Sequence, residues 1–461
     1  MANVPARLSA HSIVSAPAVA RRRWWVLAGW AFWLVVAVNG AIVTALWLVD
    51  GGVSAVNDAG TLFTSIGRIA GLLGAYLLLI QVLLLSRLPF VERVAGFDRL
   101  TVWHRLNGKV CLYLVLAHVV FITAGYTVMD KISLQSEITV LWQTYPGMAT
   151  ASIGTVLIVL VAVSSLVIVR NRLRYGAWYL VHLLAYAGIL FSWFHELPTG
   201  NEFITNPSAS AYWTGLYLAT LALLITFRFA QPALRGWWHG LRVMEVTAET
   251  PNVVSLRMTG RRLDRLGAHA GQFFLWRFLT GDRWWESHPF SLSQAPDGRS
   301  LRITVKHSGD FSNRIGEIRP GTKVLAEGPF GVFTDAVRKR ERVALIAGGI
   351  GITPIRALIE EMDGNLVLVY RVLRDEDIVF GHELKNLAET KGMDLHFVVG
   401  DHAAPGGEYL LSPAHLRELI PDITDREVYI CGPPAMSDFI ERNVRQAHVP
   451  PKYIHTERFA L

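Results

Sequence analysis

The amino-acid sequence predicts a multidomain membrane protein: a six-transmembrane α-helical bundle followed by an antiparallel β-barrel and an α/β domain. Three observations carry this. Six long apolar runs, at 24–49, 66–86, 103–128, 149–169, 175–194 and 211–229, each come near the ~20 residues that cross a hydrocarbon core. After Gln231 the chain changes to short alternating runs broken by Gly/Pro turns, at the ordinary charge density of a water-soluble portion. Finally, 461 residues that are 52% hydrophobic and hold 15 Trp are too long and too apolar for one soluble domain.

The elements then follow in order. Residues 1–20 are Ala/Ser/Pro-rich and read as a disordered tail, 21–235 as the helical bundle, 236–335 as the β-barrel and 336–461 as the α/β domain. Arg21-Arg22-Arg23 precede an apolar run too long for a signal peptide and without a small-residue cleavage site, so this run reads as an uncleaved anchor. Twelve basic residues fall on one side of the bundle: Arg7, Arg21, Arg22, Arg23, Arg87, Arg93, Arg99, Arg105, Lys109, Arg170, Arg172 and Arg174. Lys131 alone falls on the other, which puts both termini in the cytoplasm and the chain in the cell membrane. The net charge of +7 needs no nucleic acid, because cytoplasmic loops beside anionic lipid account for much of it. Cys111 lies in a membrane run and Cys431 in the soluble half, so no disulfide is expected.

Histidines inside the bilayer are the first functional sign, since ionisable groups there are costly. His104 and His118 lie on the third run, 14 residues or about 21 Å apart. His182 and His195 lie on the fifth, 13 apart. Two helices thus each offer an inner and an outer imidazole, as two stacked haems would require: His104 with His182, and His118 with His195, each pair holding one iron axially. Thirteen residues leave His195 some 140° from His182 on an ideal helix, so a bend is expected, with Gly188 a suitable place. Imidazoles bonded to neighbouring carbonyls, or a proton relay, are the alternatives.

The soluble half carries an ordered set of motifs. Ala-Gly-Gln-Phe at 270–273 closes a strand region, and His-Pro-Phe-Ser-Leu-Ser at 288–293, Gly-Asp-Phe-Ser-Asn at 309–313 and Glu-Gly-Pro-Phe-Gly at 327–331 read as turns between barrel strands. Val343 to Pro354, VALIAGGIGITP, reads as a buried strand, a glycine turn and a helix start, a Rossmann-like arrangement in which Gly348, Gly349 and Gly351 let the backbone approach a pyrophosphate. A strand at 366–370 runs into Arg371 and Arg374, and a strand at 428–430 into Cys431-Gly432-Pro433-Pro434.

In this order the motifs resemble the flavin reductase module of the ferredoxin-reductase superfamily. Joined to six spans with these histidine spacings, the chain resembles the ferric reductase and NADPH oxidase family over roughly residues 60–461. The resemblance implies that His288, Pro289, Phe290 and Ser291 hold the FAD ring and ribityl chain, and that Gly309, Asp310, Phe311 and Ser312 sit at its pyrophosphate. It implies that Gly348, Gly349, Gly351, Thr353 and Pro354 bind the nicotinamide dinucleotide, that Cys431 and Gly432 stand near the nicotinamide, and that Phe459 covers the flavin. Phe290 and Phe330 also suit barrel core. Arg371 or Arg374 stands where a 2′-phosphate would be read, favouring NADPH with NADH as the alternative.

A flavin couples two-electron hydride chemistry to one-electron haem iron, so the expected path is NADPH, FAD, inner haem, outer haem. With both axial positions of the outer haem filled, O₂ would be reduced to superoxide without binding iron. Arg68, near the outer start of the second run, would stabilise the anion, in the place of an outer-pocket arginine of the oxidases; the alternative is an arginine at the surface or on a haem propionate. Short outer loops suit a small diffusible acceptor, O₂ slightly over ferric iron. A ferric-chelate reductase, a transporter or proton channel with a regulatory reductase domain, and a plain membrane anchor are the competing readings. No protein partner is indicated.

Overall fold

A computed structural model describes residues 16–170, 172–173, 175–281, 284–401 and 403–458. The chain divides into two compact units, Met1–Phe229 and Ala230–Leu461.

The first unit is helical: α1 Ala16–Val49, α2 Ala59–Leu84, α3 Pro89–Ala95, α4 Phe97–Asp130, α5 Leu134–Thr144, α6 Met148–Ser164, α7 Val167–Arg170, α8 Tyr175–Thr199, α9 Asn201–Ile204 and α10 Pro207–Leu224. Of the disordered tail expected over 1–20, residues 16–20 are helical and 1–15 lie outside the described residues. Among the described residues, five helices are individually long and apolar enough to cross a membrane, and α5 and α6 make a sixth span if that pair, bent by 116°, is counted as one. The expected run at 149–169 is cut short because the hydroxyls of Ser164 and Ser165 both donate to the carbonyl of Val161 and α6 stops there. Its 17 residues span about 26 Å.

Half of the apolar window of α2 is buried, against 6–17% for the other single spans, so α2 is the centre of the bundle and the rest present apolar surface outward. Small residues allow the close crossings. A Cβ on Gly125 of α4 would stand 2.7 Å from the backbone nitrogen of Thr64 in α2, and one on Gly154 of α6 would stand 2.9 Å from the carbonyl of Gly188 in α8. Helix α8 runs unbroken through Gly188, so that glycine serves the approach of α6 and is no break in the helix.

The first unit ends in a π-helical turn, Ile225–Ala230, whose last residue opens the second unit, and α11 Gln231–His239 follows. Strands β1 Arg242–Thr250, β2 Val253–Thr259, β3 Phe273–Phe278, β4 His288–Ser291, β5 Ser300–Lys306 and β6 Val324–Phe330 form two antiparallel sheets, ordered β1-β2-β5 and β4-β3-β6. Single bridges link them, Leu292 to Ile303 and Arg242 to Lys323. Leu256, Met258, Phe274, Trp276, Leu301 and Ile303 fill the space between them. The stretch 288–291, expected as a turn, is a strand: it pairs with β3 from Phe273↔Ser291 to Trp276↔His288. Helix α12, Asp310–Asn313, follows β5.

The remainder is a parallel sheet, β11-β10-β7-β8-β9, made of β7 Arg342–Gly348, β8 Asn365–Val372, β9 Asp394–Val399, β10 Glu427–Gly432 and β11 Ile454–Arg458, with α13 Ile352–Glu361, α14 Gly381–Lys391, α15 Pro413–Leu419 and α16 Pro434–Gln446. Helices cover both faces, which is why the middles of β7, β8 and β10, 343–347, 366–370 and 428–431, are buried and largely apolar. Alternate residues enter opposite cores: Leu345 and Ala347 one, Ala344 and Ile346 the other. The order reverses between β7 and β10, the crevice where such sheets bind ligands.

Candidate functional site

His104 and His118 lie on α4, and His182 and His195 on α8. The rings of His104 and His182 lie 6.0 Å apart between centres. Two imidazoles on one metal, each with a bond of about 2.0 Å, would have ring centres about 6 Å apart, so this pair fits a shared iron. His104 and His118 each point Nδ1 at a carbonyl of α2, Gln81 at 3.1 Å and Gly67 at 2.9 Å. A carbonyl only accepts, so Nδ1 must carry the proton and Nε2 keeps the lone pair that a metal takes. Gly71 makes room for this: a Cβ there would stand 2.5 Å from Nδ1 of His118. His182 has a long hydroxyl contact to Ser165 at 3.4 Å, and His195 has one to Thr199 at 3.4 Å beside a hydrogen bond to the backbone of Pro146. His195 also lies within electrostatic reach of His118. No cluster of three or more His, Cys, Asp or Glu occurs among the described residues, and a bis-imidazole site needs none.

Arg68 is not an open cation. Its Nε donates to Glu202 at 2.9 Å, and its Nη2 donates to Glu202 at 2.6 Å and to the carboxylate of Asp50 at 2.5 Å. Glu202 is 3% exposed, so the guanidinium is held between two carboxylates. Neither acid was legible as its partner, because Asp50 lies just past α1, 18 residues away, and Glu202 sits 134 residues away. A third acid, Glu196, follows His195 and accepts from Trp213 at 2.7 Å and Tyr217 at 3.0 Å. The sign that marked the histidines, an ionisable group in an apolar helix, would have found it.

In the second unit the motifs at 288 and 309 meet. His288 stacks on Phe311 with ring centres 3.8 Å apart at 17°, and Phe290 lies parallel to both at 6.3 Å. Trp276 fixes the strand by donating to the carbonyl of Phe290 at 2.9 Å. Pro289 is exposed, and Phe330 is core. Ser291 is buried with no partner for its hydroxyl, and Nε2 of His307 is likewise orphaned; both suit a bound polar ligand such as FAD. Gly309 and Asp310 are exposed, whereas the hydroxyl of Ser312 is taken by its own turn, accepting from the N–H groups of Ser308 and Gly309.

The glycine turn and the end of β10 also meet. A Cβ on Gly351 would lie 2.2 Å from the carbonyl of Cys431, and one on Gly348 would strike Met436. These two glycines therefore serve packing, and Gly432 lies against Gly348. Gly349, at φ +51° with open space beside it, is the one of the three that packing leaves free. Thr353 donates to the carbonyl of Ile350 at 3.0 Å and is buried with Pro354. Cys431 is fully buried in the core, and burial pushes its thiol up, so its side chain is a packing element and no open nucleophile. Arg371 is 8% exposed and donates to the carbonyl of Val372, so it does not reach for a phosphate. Arg374 is exposed and paired with Glu376 at 2.6 Å and Asp377 at 3.7 Å. Phe459 lies outside the described residues.

Residues 70–193 match the family model for the ferric reductase like transmembrane component, 239–334 that for an FAD-binding domain, and 345–442 that for an oxidoreductase NAD-binding domain. Together these three matches are those of a ferric reductase/NADPH oxidase-type fusion, and they mark the chain as an oxidoreductase. Among its curated relatives is NADH-cytochrome b5 reductase 2 of Chaetomium globosum, 28% identical over 45% of this reductase and 64% of its own length. Another is the ferredoxin reductase component of 3-ketosteroid-9-alpha-monooxygenase from Mycolicibacterium smegmatis, 32% identical over 48% and 65%. This chain therefore spans less than two thirds of either relative. Among solved structures, the flavohem-like FAD/NAD binding domain of a Vibrio cholerae nitric oxide dioxygenase is 22% identical, with a TM-score of 0.40 over 48% of this chain and 98% of that one. The apolar helices and the family match of the N-terminal unit make this an integral membrane protein.

Proposed function

We propose that the chain moves electrons from a cytoplasmic nicotinamide dinucleotide, through FAD and two stacked b-type haems, to an acceptor outside the cell membrane, with O₂ reduced to superoxide as the primary reading. The observation that carries it is the pair of imidazole levels on α4 and α8, each with one ring nitrogen already closed by a carbonyl of α2. FAD supplies the conversion of a hydride's electron pair into the single electrons that haem iron accepts. The chain's own groups then do the holding. His104 and His182 would grip the inner iron, and His118 and His195 the outer. His288, Phe290, Phe311 and Ser291 would seat the flavin, and the Gly349 turn the dinucleotide. Six spans, with α5 and α6 counted as one, cytoplasmic termini, and closure of the two sheets into one β-barrel over 236–335 belong to the same proposal. The basic residues crowded on one side support the orientation.

Two observations favour second readings. Arg68 spends its charge on Asp50 and Glu202, a cluster one negative charge in excess, which suits a ferric acceptor better than a developing superoxide anion. For the nucleotide, Arg371 is committed to backbone and Arg374 to Glu376 and Asp377, so the acidic turn after β8 supports NADH over the expected NADPH.

Sealed vesicles of known orientation, holding purified chain, separate these readings. NADH or NADPH outside and dismutase-sensitive superoxide or reduced ferric chelate inside are measured together. Haem bands that appear on purification and are reduced by nucleotide only when FAD is present support the proposal. A colourless chain, or haem that stays oxidised under those conditions, ends it and leaves the channel and anchor readings.

A further inference from the structure

We propose that Arg302, Arg356 and Glu383 are positioning residues that lock the flavin-holding strand to the nucleotide-binding helix at the angle hydride transfer needs. The proposal rests on the FAD and nicotinamide reading above. Its geometry converges on one carbonyl. Ser293, two residues past β4, accepts from Nη2 of Arg302 at 3.0 Å and from Nη1 of Arg356 at 2.9 Å. Arg302 belongs to β5 of the flavin half, and Arg356 to α13, five residues past Gly351.

Glu383 closes the joint. It takes Arg302 as a two-pronged pair at 2.9 and 3.0 Å, and also accepts from Nε of Arg356 at 2.6 Å. Glu360 of α13 balances the second guanidinium at 2.8 Å and accepts from the backbone N–H of Ala295 at 2.7 Å. Its neighbour Glu361 accepts from the N–H of Ala270 at 2.8 Å. Two arginines thus meet two glutamates, and the arginines, 5% and 6% exposed, are not left uncompensated. Phe380 lies under both guanidinium groups, 4.7 Å from Arg302 and 5.7 Å from Arg356. It caps α14 at φ +63°, a conformation a bulky side chain rarely adopts, three residues before Glu383.

A planar guanidinium bound at two edges resists both sliding and rotation. Ser293 is about 7 Å along the strand from Ser291, and Arg356 about 7–8 Å along the helix from Gly351. A shift at the joint is therefore carried to both cofactor-holding segments with little chain to absorb it. Ordinary packing would need none of this convergence.

The test uses the full chain in nanodiscs, loaded with FAD and haem. Flavin reduction by NADH and NADPH is followed by rapid mixing, with unlabelled and 4-deuterated nucleotide. For Glu383→Gln and Arg356→Met we expect a fall of roughly 10- to 100-fold in the flavin reduction rate, the scale set by a 1 Å misplacement. Nucleotide affinity and FAD content should hold, the isotope effect should rise, and the long-wavelength nicotinamide–flavin absorbance should weaken. Glu383→Asp, which keeps the charge on a shorter arm, should recover part of the rate. Wild-type rate and absorbance in both variants would overturn the proposal, as would a rate that merely tracks lost FAD. Hydrogen exchange on the same samples needs no hydride chemistry: segments 288–295 and 349–356 should lose protection together, and unchanged protection overturns the lock. Wild-type flavin that neither nucleotide reduces would instead defeat the functional reading.

Discussion

In the membrane unit a ring nitrogen of His104 and of His118 is closed by a carbonyl of the next helix, and Arg68 is closed by Asp50 and Glu202. In the reductase unit, Gly309, Asp310 and Pro289 stand open to solvent, and Ser291 is left buried without a partner. The difference follows from the surroundings. Hydrocarbon offers no water, so a polar group there must be satisfied within the protein, and what remains after that closure is the functional atom. A water-facing domain can leave groups open for a ligand and be stable without it. Function in the first unit is therefore read from leftover valence, and in the second from vacancy at strand ends.

The comparison breaks most sharply at the histidines. His118→Ala or His195→Ala should cost the chain one haem and abolish outward electron transfer, while flavin reduction by nucleotide survives; pyridine haemochrome spectra and rapid mixing measure both. Retained outward transfer in both variants would mean that the His118 level holds no iron.

The ion cluster comes next. Arg68→Met leaves Glu202 buried without its partner, and should lower stability by about 3–5 kcal/mol in thermal melts. Adding Glu202→Leu should return much of this loss, because the stranded charge is gone. If Arg68→Met melts like the wild type, the carboxylates are not what holds it.

The smallest effect lies at the joint in the reductase unit. Burial by itself pushes the Glu383 carboxyl up, but the hydrogen bond from Arg302 and the charges of Arg356 and Arg302 outweigh it and hold the group below its usual 4.5. With its folded value depressed, Glu383 adds stability that is full above about pH 4.5 and is lost as pH falls through the folded value. At 38% exposure the gain is no more than about 1 kcal/mol. Glu383→Gln should flatten that part of the acid melting profile; a slope identical to wild type would place the acid sensitivity elsewhere.

Particular residues show how far the sequence reaches. The level of each histidine along its helix was legible because spacing and rise are local quantities. The motifs at 309 and 348 were legible because turn chemistry is written in neighbouring residues. His288–Ser291 was misjudged as a turn because Pro289 sits in β4, a short strand paired on one side with β3, where proline is tolerated. The burial of Arg371 was not legible because it depends on β9, a strand the motif order does not reveal.

By itself the sequence determined that the chain holds an apolar helical part and a water-facing part, the order of the flavin and nucleotide motifs, and the spacing of the histidines along their helices. Each of these depends on hydropathy, period or turn chemistry within a few residues. Only the tertiary structure decided which group closes which: Gln81 and Gly67 on the histidines, Asp50 and Glu202 on Arg68, Glu383 between two arginines, and Gly351 against Cys431. Those pairings join positions far apart in the chain, and a polar group in a low-dielectric interior is committed by whatever the packing brings within hydrogen-bond reach.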